Sequence, residues 1–399
     1  MPDPDETRRL SSRHGSAHPR PLTRRVFVTG TAAGLVATGM ARAQDTATQD
    51  ASGILVNDPP AADPVNGAGL PGTGSATRLV IAGTADTPSG KWATALAPLM
   101  AHALDRPAFS LETTTGWDGV TGANLFDAQQ QAINAPAALV APGTTMLTSM
   151  TGDMRVHYDY QRWMPVLIAR QPTVAVGRVA LHRSLGAILG NQQTKVAVLG
   201  PTGPELPTLL ALDLLGLRPL PVSGYGTPDA AMAALRAGSV NAIQLPLDAD
   251  FAGRMADLRN DGFAPLFVNT TRPLSGEGVQ DLPDFMSVLR QEHPKATLAP
   301  LAATWHAVAA AASIKTALLL PLLTPPASVA RWRHAAEMCA ANPAIRQEAA
   351  DNRDMLLSGA ECMSFYMSLM PDVNVILGLR RWLALNLPRW RNGMGTGKL

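Results

Sequence analysis

Short apolar runs alternate along the chain with segments whose apolar residues recur at helical spacing. The runs at 78–82, 109–113, 137–140, 195–199, 219–223 and 242–245 predict buried strands, and residues 166–176 read as extended. Helical spacing predicts helices at 91–104, 124–133, 206–215 and 229–237. Repetition of strand, loop and helix predicts an α/β fold with mostly parallel sheets covered by helices.

The predicted strands end at loops rich in Gly, Thr, Ser and Pro. These loops lie at 83–90, 142–145, 200–204 and 224–228, and most of them lead into a predicted helix. Open α/β sheets bind ligands outside the carboxyl ends of their strands, where helix N-termini attract anions. Any single loop is most simply explained as an ordinary connection between a strand and a helix. Several such loops in succession, however, indicate a site for a small anionic ligand.

A leader precedes the first predicted strand. Arg24 and Arg25 stand before a stretch of small and apolar residues at 27–40, and Ala41-Arg42-Ala43 forms a small-x-small cleavage signature. This order is typical of a bacterial twin-arginine signal peptide at 1–43, although a chance arginine pair before a buried helix is the alternative. Residues 44–77 lack hydrophobic periodicity and predict a flexible linker.

Composition limits the remaining possibilities. The 399 residues are 46% hydrophobic and predict two domains or one large one, while a net charge of +2 does not favour nucleic acid. Cys339 and Cys362 could form a disulfide in an oxidising compartment or remain buried thiols. The apolar stretch at 307–323 is interrupted by Lys315 and Pro321 and is too short for a membrane span.

Catalytic motifs of the common hydrolase, metalloprotease and nucleotide-binding types do not occur in the sequence. His306, beside Trp305, is the histidine with the best prospect of lying near a cleft, but a structural histidine is the simpler interpretation. We therefore expect neither enzymatic activity nor a cofactor or metal.

Several stretches, in their order and spacing, resemble one known family. They are 112–124, with Gly116, Gly119 and Gly122; 222–228 followed by 232–241; and 323–331 followed by 342–346. Together they resemble the Bug family, the extracytoplasmic solute receptors of tripartite tricarboxylate transporters, over about residues 78–363. The resemblance implies a periplasmic, monomeric receptor that passes its ligand to the transporter's membrane permease subunits.

The resemblance also implies a type II periplasmic binding protein fold of two α/β lobes joined by two crossing strands. The crossings would lie near 172–176 and 305–309. Lobe one would comprise 78–172 plus 308–392, and lobe two 173–307. A helix at 377–390 would pack on lobe one.

In this family a carboxylate is held between two facing loops by main-chain N–H groups. The corresponding ligand-binding residues here are Thr84, Ala85, Asp86, Thr87, Ser89, Thr144, Thr145, Thr202, Gly203, Tyr225, Gly226 and Thr227. The pattern departs from the family in both loops. Pro88 removes an N–H donor, Asp86 adds a negative charge, and Gly90 replaces an expected Asp. In the lobe-two loop a His expected before the helix is missing, and Glu205, Leu206 and Pro207 occupy that region.

These departures keep other ligands open, because a negative charge in the loop also suits a cationic or neutral solute. Two further alternatives are an exported enzyme with an unrecognised cofactor and a degenerate receptor used for signalling.

Overall fold

The computed structural model describes residues 77–132, 135–178, 193–271, 282–295 and 300–397. The predicted signal peptide at 1–43 lies outside the described residues, as does the predicted linker apart from Thr77. Within the described residues the chain forms two β-sheets flanked by helices, which confirms the predicted two-lobed α/β fold.

The first sheet has six strands in the order β11-β4-β10-β3-β1-β2. β1 pairs in parallel with β2 and β3, whereas β10 is antiparallel to both β3 and β4. The strands are β1 (Arg78–Ile81), β2 (Ser110–Thr113), β3 (Ala138–Ala141), β4 (Met164–Arg170), β10 (Ile314–Leu320) and β11 (Met355–Ser358). We refer to this sheet with its helices as lobe one.

The second sheet has five strands in the order β7-β6-β8-β5-β9. β6 is parallel to β7 and β8, and β5 is antiparallel to β8 and β9. The strands are β5 (Thr173–Arg178), β6 (Thr194–Val198), β7 (Pro219–Ser223), β8 (Ala242–Pro246) and β9 (Phe263–Asn269). We refer to this sheet with its helices as lobe two.

The helices predicted at 91–104, 206–215, 229–237 and 377–390 lie close to helices of the structure. The helix predicted at 124–133 begins and ends earlier, running from Val120 to Ala128. The other described helices were not predicted from the sequence. The helices are α1 (Pro88–Ala103), α2 (Val120–Ala128), α3 (Gly143–Thr151), α4 (Leu206–Leu214), α5 (Pro228–Arg236), α6 (Phe251–Asn260), α7 (Phe285–Glu292), α8 (Pro300–Ala312), α9 (Pro326–Ala341), α10 (Pro343–Asp351), α11 (Gly359–Met367) and α12 (Val373–Arg391).

The first crossing between the sheets is short and brings their carboxyl edges together. Arg170 at the end of β4 pairs with Ile314 at the start of β10, so β4 ends at the same edge as β1 and β3. Thr173 at the start of β5 pairs with Pro246 at the end of β8, which is the carboxyl edge of the second sheet. Only Gln171 and Pro172 separate the two strands, so the loops at these two edges face one another.

The return crossing differs from the prediction. Residues 305–309, expected as a crossing strand, are helical and lie within α8, which leads into β10. Seven of the 13 residues of α8 are alanine, which has the highest helix propensity, and this explains the difference. The two crossings meet where the Gln171 N–H donates to the Ser313 carbonyl at 2.7 Å.

Helix α8 joins the lobes through an apolar core. It packs against α4 of lobe two and against α3 and α12 on the side of lobe one. Its residues 307–311 are buried, and the Trp305 ring centroid lies 4.5 Å from that of Phe285 in α7. One cluster of buried side chains therefore runs from lobe one through α8 into lobe two.

The C-terminal strap, residues 373–397, contacts both lobes. Its helix α12 packs on α3, and Arg380 donates to the Met150 carbonyl at 3.2 Å, as a helix on lobe one would. It also reaches lobe two, where Trp382 Nε1 donates to Asp213 Oδ2 at 2.7 Å and Trp390 Nε1 donates to the Pro219 carbonyl at 3.1 Å. The sequence predicts the helix but not this second attachment.

The two cysteines remain apart in the fold. Cys339 and Cys362 are both buried free thiols, which decides between the two alternatives left open by the sequence. Burial raises the pKa of Cys339 to about 11 and that of Cys362 to about 12. Within the described part of the chain, no helix is both long and apolar enough to cross a membrane.

Candidate functional site

The loop after β1 is ordered by its own side chains. Thr87 is the N-cap of α1, where its Oγ1 accepts from the Gly90 N–H at 3.2 Å and donates to the Thr84 carbonyl at 2.6 Å. The Thr84 hydroxyl donates to Asp86, and this hydrogen bond holds the Asp86 pKa below its ordinary value. Thr84, Ala85 and Asp86 are exposed, so this predicted segment lies on the surface of the carboxyl edge.

Ser89 has a different environment. It lies in the first turn of α1, the residue is only 2% exposed, and its Oγ has no hydrogen-bond partner among the described residues. The next residue explains the tight packing here, since a Cβ at Gly90 would lie 2.3 Å from the Thr84 carbonyl oxygen. The loop and the helix N-terminus thus enclose a hydroxyl that hydrogen-bonds to nothing.

The loop after β3 is used mainly for structure. Thr144 and Thr145 donate to the Asp118 carbonyl at 3.4 Å and 3.2 Å. The Asp118 carboxylate pairs with Arg155 at 2.7 Å and accepts from the Val120 N–H at 3.2 Å. Thr145 is buried and Thr144 is partly exposed, so of this predicted pair Thr144 is the one that solvent reaches.

The loop after β6, on the facing edge of lobe two, forms a closed turn. The Gly203 N–H donates to the Gly200 carbonyl at 2.9 Å, and the Leu206 N–H donates to the Gly203 carbonyl at 3.1 Å. Gly203 is buried, whereas Thr202 is partly exposed. The turn therefore uses the Gly203 amide internally.

Glu205 is a site residue that the sequence prediction did not include. Its Oε2 accepts from the Leu199 N–H at 3.1 Å, so the carboxyl group folds back into the loop and does not cap α4. Burial raises its pKa to about 7. The signal in the sequence was an acid in the region where the family resemblance expects a histidine.

The loop after β7 lies beside that turn. The Tyr225 N–H donates to the Val198 carbonyl at 3.1 Å, and the Tyr225 side chain packs partly against the core of lobe two. Thr227 is the N-cap of α5 and accepts from the Ala230 N–H at 3.3 Å, while Gly226 is exposed. The predicted residues of lobe two are thus neighbours at one edge.

A buried polar layer, also absent from the sequence prediction, lies under the loop after β6. Asn269 Nδ2 donates to Thr208 Oγ1 at 2.8 Å and to Gln244 Oε1 at 3.1 Å. Gln244 Nε2 in turn donates to the Pro204 carbonyl at 3.0 Å. The Asn269 side chain is 1% exposed in this layer, yet its Oδ1 has no partner.

His306 does not join these loops by any described contact. His306 lies on the exposed side of α8, with its ring edge-on to Trp305 at 5.2 Å, and desolvation of the ring by its neighbours lowers its pKa.

Comparison with solved structures identifies the fold. No family model matches the chain, and no curated protein matches it by sequence. A TctC solute-binding protein from Polaromonas superposes with a TM-score of 0.56 at 16% identity, over 76% of this chain and 97% of that one.

Two other solved structures are more distant. MatC from Rhodopseudomonas palustris with bound malate gives a TM-score of 0.48 at 16% identity, over 79% of this chain and 98% of that one. The periplasmic binding protein BugD gives 0.49 at 15% identity, over 80% of this chain and 98% of that one. Of these three structures, the Polaromonas protein has the highest TM-score. The described residues of this chain therefore have the fold of the TctC-type solute-binding proteins.

Proposed function

We propose that this protein is a periplasmic receptor that captures a small organic acid between its two lobes. It would be exported by the twin-arginine route and would deliver the ligand to the permease subunits of a tripartite tricarboxylate-type transporter. The observation that carries the proposal is Ser89, a buried hydroxyl without a partner in the first turn of α1. It supports a receptor because α1 begins at the sheet edge that faces lobe two.

A carboxylate suits the N-terminus of α1 for two reasons. The helix dipole and the unpaired N–H groups of the first turn favour a negative charge. A buried hydroxyl without a partner costs roughly 1–3 kcal/mol, and a hydrogen bond donated to a charged acceptor contributes about 1.5–3 kcal/mol. A ligand carboxylate at Ser89 Oγ would therefore remove a cost that the free protein carries.

Thr84, Thr87 and Thr144 of lobe one, with Thr202 and Thr227 of lobe two, would line the same cleft. Their place at facing carboxyl edges supports this assignment. The short crossing at Gln171 and Pro172 would act as the hinge when the lobes close over the ligand. The described loops supply dipoles and hydroxyls, which suit binding without chemistry.

Binding to Ser89 can be tested with one substitution. Ser89→Ala should weaken binding of a responding carboxylate about tenfold or more, because the charged hydrogen bond is lost. It should not lower the melting temperature of the free protein, since the hydroxyl has no partner to lose. The measurements are a thermal-shift screen of mono-, di- and tricarboxylates followed by calorimetric titration.

Ser239→Ala is the matched control, because Ser239 is exposed in lobe two away from both loops. Equal affinity in Ser89→Ala and Ser239→Ala would contradict the site. If no carboxylate changes the melting temperature, the receptor proposal fails and the degenerate receptor is favoured. A bound chromophore or stoichiometric metal in the purified protein would instead favour the exported enzyme.

A further inference from the structure

The exposed face of helix α12, in the C-terminal strap, is apolar. The opposite face is buried against the body of the protein, through Leu379, Trp382, Leu383, Asn386 and Trp390. On the exposed face, Val373 is 64% accessible, Leu377 56% and Leu385 37%. Successive residues of an α-helix are rotated by about 100°, which places these three within a sector of about 120°. The helix thus has two apolar faces, and the described residues cover only one of them.

The strap also concentrates positive charge. Residues 373–397 contain four arginines and no Asp or Glu, whereas the whole chain has a net charge of only +2. The rest of the chain is therefore net negative. A surface that combines this charge with exposed aliphatic residues favours a partner that supplies both anions and an apolar environment.

Two of the four arginines are free to bind a partner. Arg380 donates to two carbonyls in the last turn of α3, at 3.1 and 3.2 Å, and Arg389 donates to a carbonyl within the strap at 3.1 Å. Arg381 and Arg391 are exposed, and among the described residues they form no hydrogen bond or ion pair. By helical rotation Arg381 falls between Leu377 and Leu385, and Arg391 falls in line with Val373. We define the outer face of the strap as Val373, Leu377, Arg381, Leu385 and Arg391.

A further exposed apolar residue of lobe one lies close to the outer face. Met154 is 92% exposed, and Gly152, two residues earlier, packs against the strap. A Cβ at Gly152 would lie 2.8 Å from Arg380 Nε. Asp153, the acid between them, already pairs with Arg155 at 2.8 Å, so it does not neutralise the arginines of the strap.

Charge decides between the possible occupants of the outer face. A second copy of the chain packed face to face would place Arg381 and Arg391 near the same arginines, and like charges repel. A neutral apolar partner would bury two guanidinium groups without a counter-charge, which is costly. The occupant must therefore carry negative charge.

A lipid surface suits the outer face better than an acidic protein does. Guanidinium groups bind phosphate through paired hydrogen bonds, and aliphatic side chains of a surface helix enter the headgroup region of a membrane. Apart from the arginines, Asn374 is the one exposed residue of α12 with a polar side chain. Specific protein interfaces carry many directed hydrogen bonds, whereas an anionic lipid surface requires only the charge and the apolar contact.

We propose that the outer face of the C-terminal strap binds the surface of an anionic phospholipid membrane, with α12 lying along that surface. Arg381 and Arg391 would bind lipid phosphates, and the three aliphatic side chains would enter the headgroup region. The inference goes beyond the proposed function, because it is independent of the ligand in the cleft. Since the strap contacts both lobes, this binding would hold the whole receptor at the membrane that contains its permease.

Co-sedimentation with vesicles measures the binding directly. The full chain would be mixed with vesicles of phosphatidylglycerol and phosphatidylcholine in equal parts, and with vesicles of phosphatidylcholine alone. Binding to the anionic vesicles should be stronger and should weaken as salt is added, because salt screens the attraction between arginine and phosphate. Equal binding to both kinds of vesicle would overturn the role of charge.

Two substitutions in the strap have matched controls elsewhere on lobe one. Arg381→Glu should weaken binding to the anionic vesicles about tenfold or more, since an anion replaces a cation, and Leu377→Ser should weaken it several-fold. The controls are Arg346→Glu, on the exposed side of α10, and Leu323→Ser, in the loop before α9, where Leu323 is 71% exposed. The predicted signal peptide also contains arginines, but it is the same in every variant, so a difference between variants reports the strap.

The outcomes distinguish the lipid from other occupants and from the receptor function. If the controls lose as much binding as the strap variants, or if the strap variants bind like the unaltered protein, the assignment to the outer face is overturned. Binding to immobilised poly-glutamate without binding to vesicles would overturn the lipid and favour an acidic protein surface. Arg381→Glu should leave the melting temperature and the affinity for a responding carboxylate unchanged, so failure of this inference would not touch the proposed function.

Discussion

At the scale of single residues, one glycine determines how closely the lobe-one loops approach each other. Gly119 has a φ of 75°, and a Cβ at this position would lie 2.2 Å from Thr145 Oγ1. The same Cβ would be 3.1 Å from Pro142 and 3.2 Å from Ala82, which follow β3 and β1. Three strands of lobe one thus bring their loops together around a position that has room for no side chain.

Gly119→Ala should reduce the free energy of unfolding by about 2–6 kcal/mol. Part of this is the cost of a left-handed conformation for a residue with a Cβ, about 1–3 kcal/mol, and the rest is overpacking of about 1–3 kcal/mol. Gly216→Ala measures the conformational cost without the overpacking. Gly216 also has a positive φ, of 77°, but nothing lies within 4 Å of its Cβ position. Urea unfolding should show the smaller loss for Gly216→Ala, and equal losses would contradict the crowding argument.

The structure gives two of the predicted ligand-binding residues a local structural role. Thr87 and Thr227 are both helix N-caps, a role that the sequence prediction did not assign to them. Asn269 and Gln244 were not identified, because their roles arise only when β8, β9 and the loop after β6 meet in the second sheet. Glu205 lay between these cases, since its position in the chain was noticed but its burial was not visible from the sequence.

At the scale of elements, the C-terminal strap fixes α4 of lobe two through a partly buried acid. Asp213 accepts from Trp382 Nε1 through Oδ2, and its Oδ1 accepts from the Thr396 hydroxyl. Burial raises the Asp213 pKa, whereas both hydrogen bonds lower it. The strap therefore supplies the donors that a buried carboxyl group requires.

Trp382→Phe should lower the free energy of unfolding by about 1–3 kcal/mol, because it leaves one oxygen of Asp213 buried without its donor. Trp117→Phe makes the same chemical change on an exposed side chain, which is 53% accessible, and should change stability by less than about 0.5 kcal/mol. Denaturant unfolding of both variants provides the measurement. An equal effect of the two substitutions would show that the strap contributes no specific attachment.

The elements show which parts of the fold a hydrophobic pattern can locate. The short apolar runs of β1, β3, β6 and β7 were found within a residue or two, because most residues of each run are apolar. The crossing strand expected at 305–309 came instead from the family resemblance, and helix α8 occupies that segment in this chain.

At the scale of the whole molecule, the lobes share their interior. The buried cluster that contains Trp305 extends to Leu147 of lobe one and to Leu210 of lobe two. The sequence predicted two lobes and the short crossing at Pro172, but which faces of α8 and α12 meet which lobe depends on contacts between residues far apart in the chain. A receptor with this interior would close by bending at its crossings while the shared core stays packed.

The two lobes should therefore unfold together. Differential scanning calorimetry of the free protein should show one transition, with calorimetric and van't Hoff enthalpies equal within error, because neither lobe can expose the shared core alone. Intrinsic fluorescence and far-UV circular dichroism should give the same midpoint. Two resolved transitions, or midpoints that differ between the two probes, would show that the lobes are energetically independent.

The strap has a consequence for how the chain is made. Asp213 meets Trp382 from 169 residues further along the chain, and Pro219 meets Trp390 from 171 residues further along. Until the ribosome has produced residue 382, the Asp213 carboxyl group of α4 lacks the Trp382 donor. The second lobe is therefore completed late, and contacts over such separations slow folding. A chain interrupted before residue 382 would leave lobe two incomplete even though every strand of its sheet had been synthesised.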